Sequence, residues 1–177
     1  MLLLLVRHAH AGDRDPAQWP DDRDRPLTDR GRETQRDVSR RLRKQDLAPG
    51  LVLTSPWLRA AQTADILVEV ARVGRPAVPC DALAEDPDPG PLNHAVGPQP
   101  PEAIVALVGH SPWIEELAAI LLAGANTALR IDFPKSGVLG IELDELAPGA
   151  GELRFLLRPR KPKKKKKGKT AVKGETA

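Results

Sequence analysis

Three short uninterrupted apolar runs organise the chain: Leu2–Val6, Leu51–Thr54 and Ala103–Val108. Runs of this kind, without polar alternation, read as strands buried on both faces, as at the centre of a parallel sheet. Each is followed by a helical pattern. Arg30–Gln45 contains no proline, and Val38 and Leu42 fall on one face among charged neighbours, which predicts a mostly exposed helix. Leu58, Ala61, Ala64, Leu67, Val68 and Ala71 recur at helical spacing after the second run, as do Trp113, Ile114, Leu117, Ala118, Leu121 and Leu122 after the third. Strands alternating with helices predict an α/β fold, three-layered, with a mostly parallel central sheet and helices on both faces. Gly137–Leu143 and Leu153–Leu157 should complete the sheet as an antiparallel hairpin around Pro148-Gly149. Two long loops remain, Ala11–Pro26, rich in Asp, Arg and Pro, and Glu85–Pro101, with six prolines. Their length marks them as functional rims.

Charge divides the 177 residues unevenly. From Arg158 onward ten Lys or Arg face one Glu, a charge of +9, whereas the first 157 residues hold 17 basic and 23 acidic residues, a charge of −6. We therefore expect a folded domain over 1–158 and a disordered Lys-rich tail over 159–177. Cys80 is the only cysteine, which excludes an internal disulfide and a cysteine-based zinc cluster. The run Leu2–Val6 is too short for a signal sequence or a membrane span. The expectation is a cytoplasmic protein with no membrane association.

The chemistry gathers at the strand ends. The first run leads into Arg7-His8, the third into Gly109-His110, and the second passes through Ser55-Pro56 to Arg59. In a parallel sheet these ends share one edge, where ligands bind. Two imidazoles and two guanidiniums can then surround one anion. Arginine suits phosphoryl oxygens because its planar fork binds them bidentately and keeps its charge, and a neutral histidine nitrogen can attack phosphorus without a metal. The helix starts after Ser55-Pro56 and Ser111-Pro112 would add N–H donors.

Four motifs carry a family resemblance: Leu5-Val6-Arg7-His8-Ala9, Arg25-Pro26-Leu27-Thr28-x-x-Gly31, Thr54-Ser55-Pro56-Trp57-Leu58-Arg59-Ala60-Ala61-Gln62-Thr63, and Val108-Gly109-His110-Ser111-Pro112. Together, over residues 2 to 143, they resemble the histidine phosphatase superfamily, and the short chain is most similar to its SixA-type phosphohistidine phosphatases. The resemblance implies a phosphoglycerate-mutase-like fold without a cap domain and a two-step reaction that needs no cofactor and no metal. His8 would take the phosphoryl group and water would release it, while Arg7, Arg59 and His110, best protonated, would hold the phosphoryl oxygens. The substrate would be phosphohistidine in a protein or, alternatively, a small phosphate ester. A proton donor would come from Glu85, Asp86 or Asp88, with Glu85 nearest to the family position. An acid matters less for phosphohistidine than for an ester, because a protonated ring leaves as neutral imidazole.

Other residues near these motifs have two readings each. Thr28 and Ser55 are substrate contacts or helix caps; Arg25 touches substrate or anchors its loop through Asp22 or Asp24; Trp57 contacts substrate or packs at the pocket mouth. His8-x-His10 also has the form of a metal-binding pair, although Arg7 beside it would repel a cation and the other motifs would go unexplained. A third reading makes the protein a phosphate-binding module that its lysine tail tethers to an anionic partner such as RNA or polyphosphate. Against it, a binder has no need of His8.

Overall fold

The structure is a computed structural model that describes residues 1–84, 86 and 88–160. Glu85 and the Lys-rich segment from Lys161 onward lie outside the described residues, so the expectations attached to them stay as stated. Six strands form one sheet: β1 (Leu2–Arg7), β2 (Leu51–Thr54), β3 (Val78–Pro79), β4 (Ile104–Gly109), β5 (Val138–Glu142) and β6 (Glu152–Leu157). Their order is β3-β2-β4-β1-β5-β6. The first four strands are mutually parallel, β5 runs antiparallel to β1, and β6 antiparallel to β5. This is the mostly parallel three-layer sheet that the sequence predicts.

Strand β1 lies between β4 and β5, and Leu3, Leu4, Leu5 and Val6 are each fully buried. Side chains alternate across a strand, so Leu3 and Leu5 enter one core while Leu4 and Val6 enter the other. The helices are α1 (Asp29–Lys44), α2 (Leu58–Ala71), α3 (Pro89–Val96) and α4 (Trp113–Ala123). Val38 and Leu42 of α1 and Ala60, Ala64 and Leu67 of α2 cover the Leu4 face. Leu92 of α3 and Ile114, Leu117 and Leu121 of α4 cover the other. Each fully buried leucine contributes about 1.5–3 kcal/mol, and this is why an unbroken apolar run is tolerated only in a strand covered on both sides. No helix among the described residues is long and apolar enough to cross a membrane.

One expectation needs correction. The Pro-rich segment 85–101 is not all loop, since α3 occupies eight of its residues. Pro89 and Pro91 stand in the first turn of that helix, where backbone N–H groups have no intrahelical partner to lose. Asp88 caps the turn by accepting from Gly90 N, and Gly97, at φ +63°, ends the helix. The short strand β3 escapes sequence analysis because two exposed residues carry no hydrophobic signal.

Register brings the strand ends together. Arg7 stands opposite Gly109, and Thr54 opposite Val108. Beyond the strands, His8 N donates to Gly109 O at 3.0 Å and Ser55 N to Val108 O at 2.9 Å. A second constraint fixes the loop after β1. Gly31, in the first turn of α1, lies so close to His10 that a Cβ there would collide with the His10 backbone. Gly31→Ala must push α1 away from that loop. We expect a stability loss of about 1–3 kcal/mol, the usual cost of overpacking, visible as a lowered urea midpoint with an unchanged slope; an unaltered midpoint would refute the close-approach argument.

Candidate active site

His8 follows the last residue of β1, and only 7% of its surface is exposed. Its Nδ1 donates to the Ala9 carbonyl at 2.7 Å, which places the ring proton on Nδ1 and leaves the Nε2 lone pair free. Ala9 is held in turn, its N–H donating to Thr63 Oγ1 of α2 at 3.0 Å, and Thr63 donates to the Arg59 carbonyl at 2.6 Å. The nucleophile candidate is thus oriented by a chain of hydrogen bonds that runs through the helix carrying Arg59. Burial above all, with Arg59, Arg7 and Lys135 adding to it and the Ala9 bond opposing, lowers the His8 pKa to about 3.

His110 follows β4, with its ring centroid 5.2 Å from that of His8. Its Nε2 and Ser55 Oγ are 2.8 Å apart, and its Nδ1 is buried without a partner. Burial first, then His8 and Arg59, lower its pKa to about 3 as well. Burial and the neighbouring charges thus favour the neutral ring, and a protonated His110, which sequence analysis favours, calls for a bound anion to offset the cost of a buried imidazolium.

Both arginines come to the pocket already engaged. Arg7 donates through Nη1 to the Phe133 carbonyl at 2.6 Å and lies 3.5 Å from Glu115 Oε1, on the first turn of α4. Arg59, 4% exposed, donates to the Asp22 carbonyl at 2.7 Å and pairs with Asp22 Oδ2 at 3.2 Å. Its guanidinium carbon lies 4.6 Å from the centroid of the Trp57 ring. The Nε atoms of Arg7 and Arg59 are buried and unpartnered, as is His110 Nδ1. Buried donors left unpaired are costly, and a multiply charged oxyanion is the kind of ligand that supplies several acceptors at once.

The structure assigns structural work to several residues with two readings. Thr28 accepts from Gly31 N at 3.1 Å as the cap of α1 and donates to the His10 carbonyl at 3.0 Å, so its hydroxyl is committed. Arg25 pairs with Asp22 at 2.8 Å and donates to the Gly12 carbonyl, also at 2.8 Å, anchoring the loop. Trp57 packs against His110, with centroids 4.5 Å apart, and meets Trp113 edge-on. Ser55 touches both His110 and the Trp57 N–H. Of the carboxylates, Asp88 is used as the α3 cap, whereas Asp86 lines a small hollow shared with Gly109, His110 and Trp113.

His10 is turned to the loop, its Nδ1 accepting from Gly12 N at 3.1 Å. Among the described residues, no three His, Cys, Asp or Glu side chains gather as a metal-ligating group. Within that part of the chain, His8 and His10 have no third side chain of these types gathered with them.

Three charged residues of this site are absent from the motif reading. Asp22 figures there only as an anchor for Arg25, yet it also holds Arg59. Glu115 and Lys135 do not figure at all. Glu115, five residues after His110, was accessible as a helix-start residue; Lys135 lies in a loop after α4 and carries no local signal.

A profile of the histidine phosphatase superfamily (branch 1) matches residues 3–86. An uncharacterized protein of a Picosynechococcus strain is 35% identical over 143 residues, which cover 80% of this chain and 84% of that protein. Among solved structures, the protein histidine phosphatase SixA complexed with tungstate superposes with a TM-score of 0.75 at 27% identity, over 90% of this chain and 97% of the other. A Nakamurella multipartitia protein described as SixA-type gives 0.69 at 26%, over 89% and 95%. The profile match, the shared sequence and the superpositions agree with the four motifs, and the chain belongs to the histidine phosphatase superfamily, with a SixA-like fold.

Proposed function

We propose that the protein is a phosphatase that uses His8 as nucleophile and acts on phosphohistidine in a protein. The observation that carries this reading is the hydrogen bond from His8 Nδ1 to Ala9 O, which leaves Nε2 as a lone pair on a ring 5.2 Å from that of His110 and under the charges of Arg59 and Arg7. In the first step Nε2 forms a bond to phosphorus as the substrate's P–N bond breaks. The substrate imidazole leaves neutral when its other nitrogen already carries a proton. His8, now substituted at Nε2 and protonated at Nδ1, is cationic, and its bond to the Ala9 carbonyl strengthens with that charge. In the second step water attacks phosphorus, the P–Nε2 bond breaks, His8 returns to its neutral form, and phosphate and a proton are released.

Arg7 and Arg59 offset the phosphoryl charge throughout, the positioning and electrostatic work on which phosphoryl transfer depends. A bound dianion also favours a proton on His110, reversing the effect of burial. Likeness to SixA supports phosphohistidine as substrate, and Asp86, which lines a small hollow together with His110 and is not used as a helix cap as Asp88 is, is the described candidate to donate a proton if an ester oxygen must leave.

The deciding experiment follows phosphate release from a phosphohistidine-bearing protein in EDTA, by wild type and His8→Ala, with an aryl phosphate alongside. Turnover of phosphohistidine that vanishes in a folded His8→Ala protein is expected. Hydrolysis of the aryl phosphate alone would shift the substrate to small esters, and an active His8→Ala protein would remove the mechanism. Arg59→Lys keeps a charge but loses the planar fork, and should lower kcat/KM about 100-fold or more, the scale of deleting one charge-stabilising donor; wild-type rates would exclude Arg59 from the reaction.

Both buried imidazoles titrate far below their ordinary range, at about 3. In the ligand-free protein their C–H resonances should show no inflection between about pH 5 and 8, where an ordinary histidine titrates. The sign for stability follows. Unfolded imidazoles take up protons near pH 6.5 and the folded ones do not, so stability is full above about 6.5 and declines as the pH falls from there toward 3. A midpoint near 6.5 for either ring would contradict the burial argument.

A further inference from the structure

Lys135 occupies a turn that is strapped along the nucleophile. The Phe133 carbonyl accepts from Arg7 Nη1. Ser136 N donates to the carbonyls of Arg7 at 3.1 Å and His8 at 3.3 Å, and Arg7 N donates to Gly137 O at 3.2 Å. Phe133 is 1% exposed, and Gly137 packs so tightly that a Cβ there would meet the Phe133 ring and the Pro134 carbonyl. Phe133, Ser136 and Gly137, on either side of Lys135, are thus held by Arg7 and His8 or by the core. The Lys135 backbone has little freedom, and its side chain begins beside the candidate nucleophile.

The half-buried ammonium stands in a field of like charge. Arg7, Arg25 and Arg59 all act on it, from the end of β1, the long loop and α2, and Asp13 opposes them. Lys135 acts in return on His8 and His10. The three arginines each have a carboxylate: Glu115 for Arg7, and Asp22 shared by Arg25 and Arg59. Lys135 has no hydrogen-bond or ion-pair partner among the described residues. A half-buried ammonium under the charge of three guanidiniums is unfavourable, and a bound anion relieves it.

We propose that Lys135 is a further substrate-binding residue, whose ammonium contacts the phosphoryl group from the Phe133–Gly137 turn. The proposal rests on the reading of this pocket as a phosphoryl site but not on the identity of the leaving group. It gives the turn after α4 a role in binding: it carries a charge that the Arg-His motifs do not supply.

The test uses inorganic phosphate and the full chain at moderate salt, followed through the imidazole C–H resonances of His8 and His110. These signals report this pocket and not the lysine tail. Lys135→Gln is expected to weaken phosphate about tenfold or more, the loss of one charged hydrogen bond, with an unchanged melting temperature. Lys135→Arg, which restores the charge, should recover at least half of that loss on a logarithmic scale. Wild-type affinity in Lys135→Gln, equal weakness in Lys135→Arg, or no phosphate binding by wild type would each overturn the proposal. If phosphate binds as expected but phosphohistidine is not hydrolysed, the substrate assignment fails and the role of Lys135 stands.

Discussion

His8 lies deep enough in the molecule that its ring cannot rely on water to settle which nitrogen holds the proton. The Ala9 carbonyl, 2.7 Å from Nδ1, settles it, and much of the surrounding structure serves to hold that carbonyl in place. Ala9 is itself fully buried and tied through its N–H to Thr63 on α2. The loop after it is pinned by Thr28 and by the close approach of Gly31 to His10. A tautomer fixed by neighbours, and not by chance protonation, is what the proposed role of His8 as nucleophile requires at neutral pH.

Concentrating cations around such a nucleophile carries an electrostatic cost, and the protein meets it with carboxylates placed behind the arginines. Asp22 lies on a 3-10 turn over Asp22–Asp24 and accepts from both Arg25 and Arg59; Glu115 does comparable work for Arg7 at the start of α4. These pairs orient the guanidiniums and reduce the repulsion between them, at the cost of positive potential. The acid loop residue and the lysine turn thus have opposite effects. Asp22, its own pKa lowered chiefly by the hydrogen bonds from Arg25, stays ionised, while Lys135 has no carboxylate partner among the described residues.

The four motifs were legible because each does its work locally. Arg7-His8 ends a doubly buried strand, Gly109-His110 ends its parallel neighbour, and Thr28-x-x-Gly31 pairs a cap with the small residue that the cap's position requires. The helix in 89–96 was hidden because proline content there masks a first turn in which proline is harmless. Glu115 and Lys135 were hidden for a different reason. A lone charged residue on a helix start or in a loop reads as solvated surface, and nothing in its immediate neighbours says which pocket it faces.

The sequence by itself determined five of the six strands, the helices that follow β1, β2 and β4, and the edge of the sheet at which Arg7, His8, Arg59 and His110 come together, because hydrophobic period and parallel connection leave few other arrangements. It also determined that the last 20 residues differ in charge from the rest. Tertiary structure alone decided the protonation state of both imidazoles, since burial is a property of the packed molecule and not of any segment. It likewise decided which carboxylate meets which arginine: Asp22 and Arg59 are 37 positions apart, Arg7 and Glu115 are 108 apart, and only the folded sheet edge brings such distant charges within reach of one another.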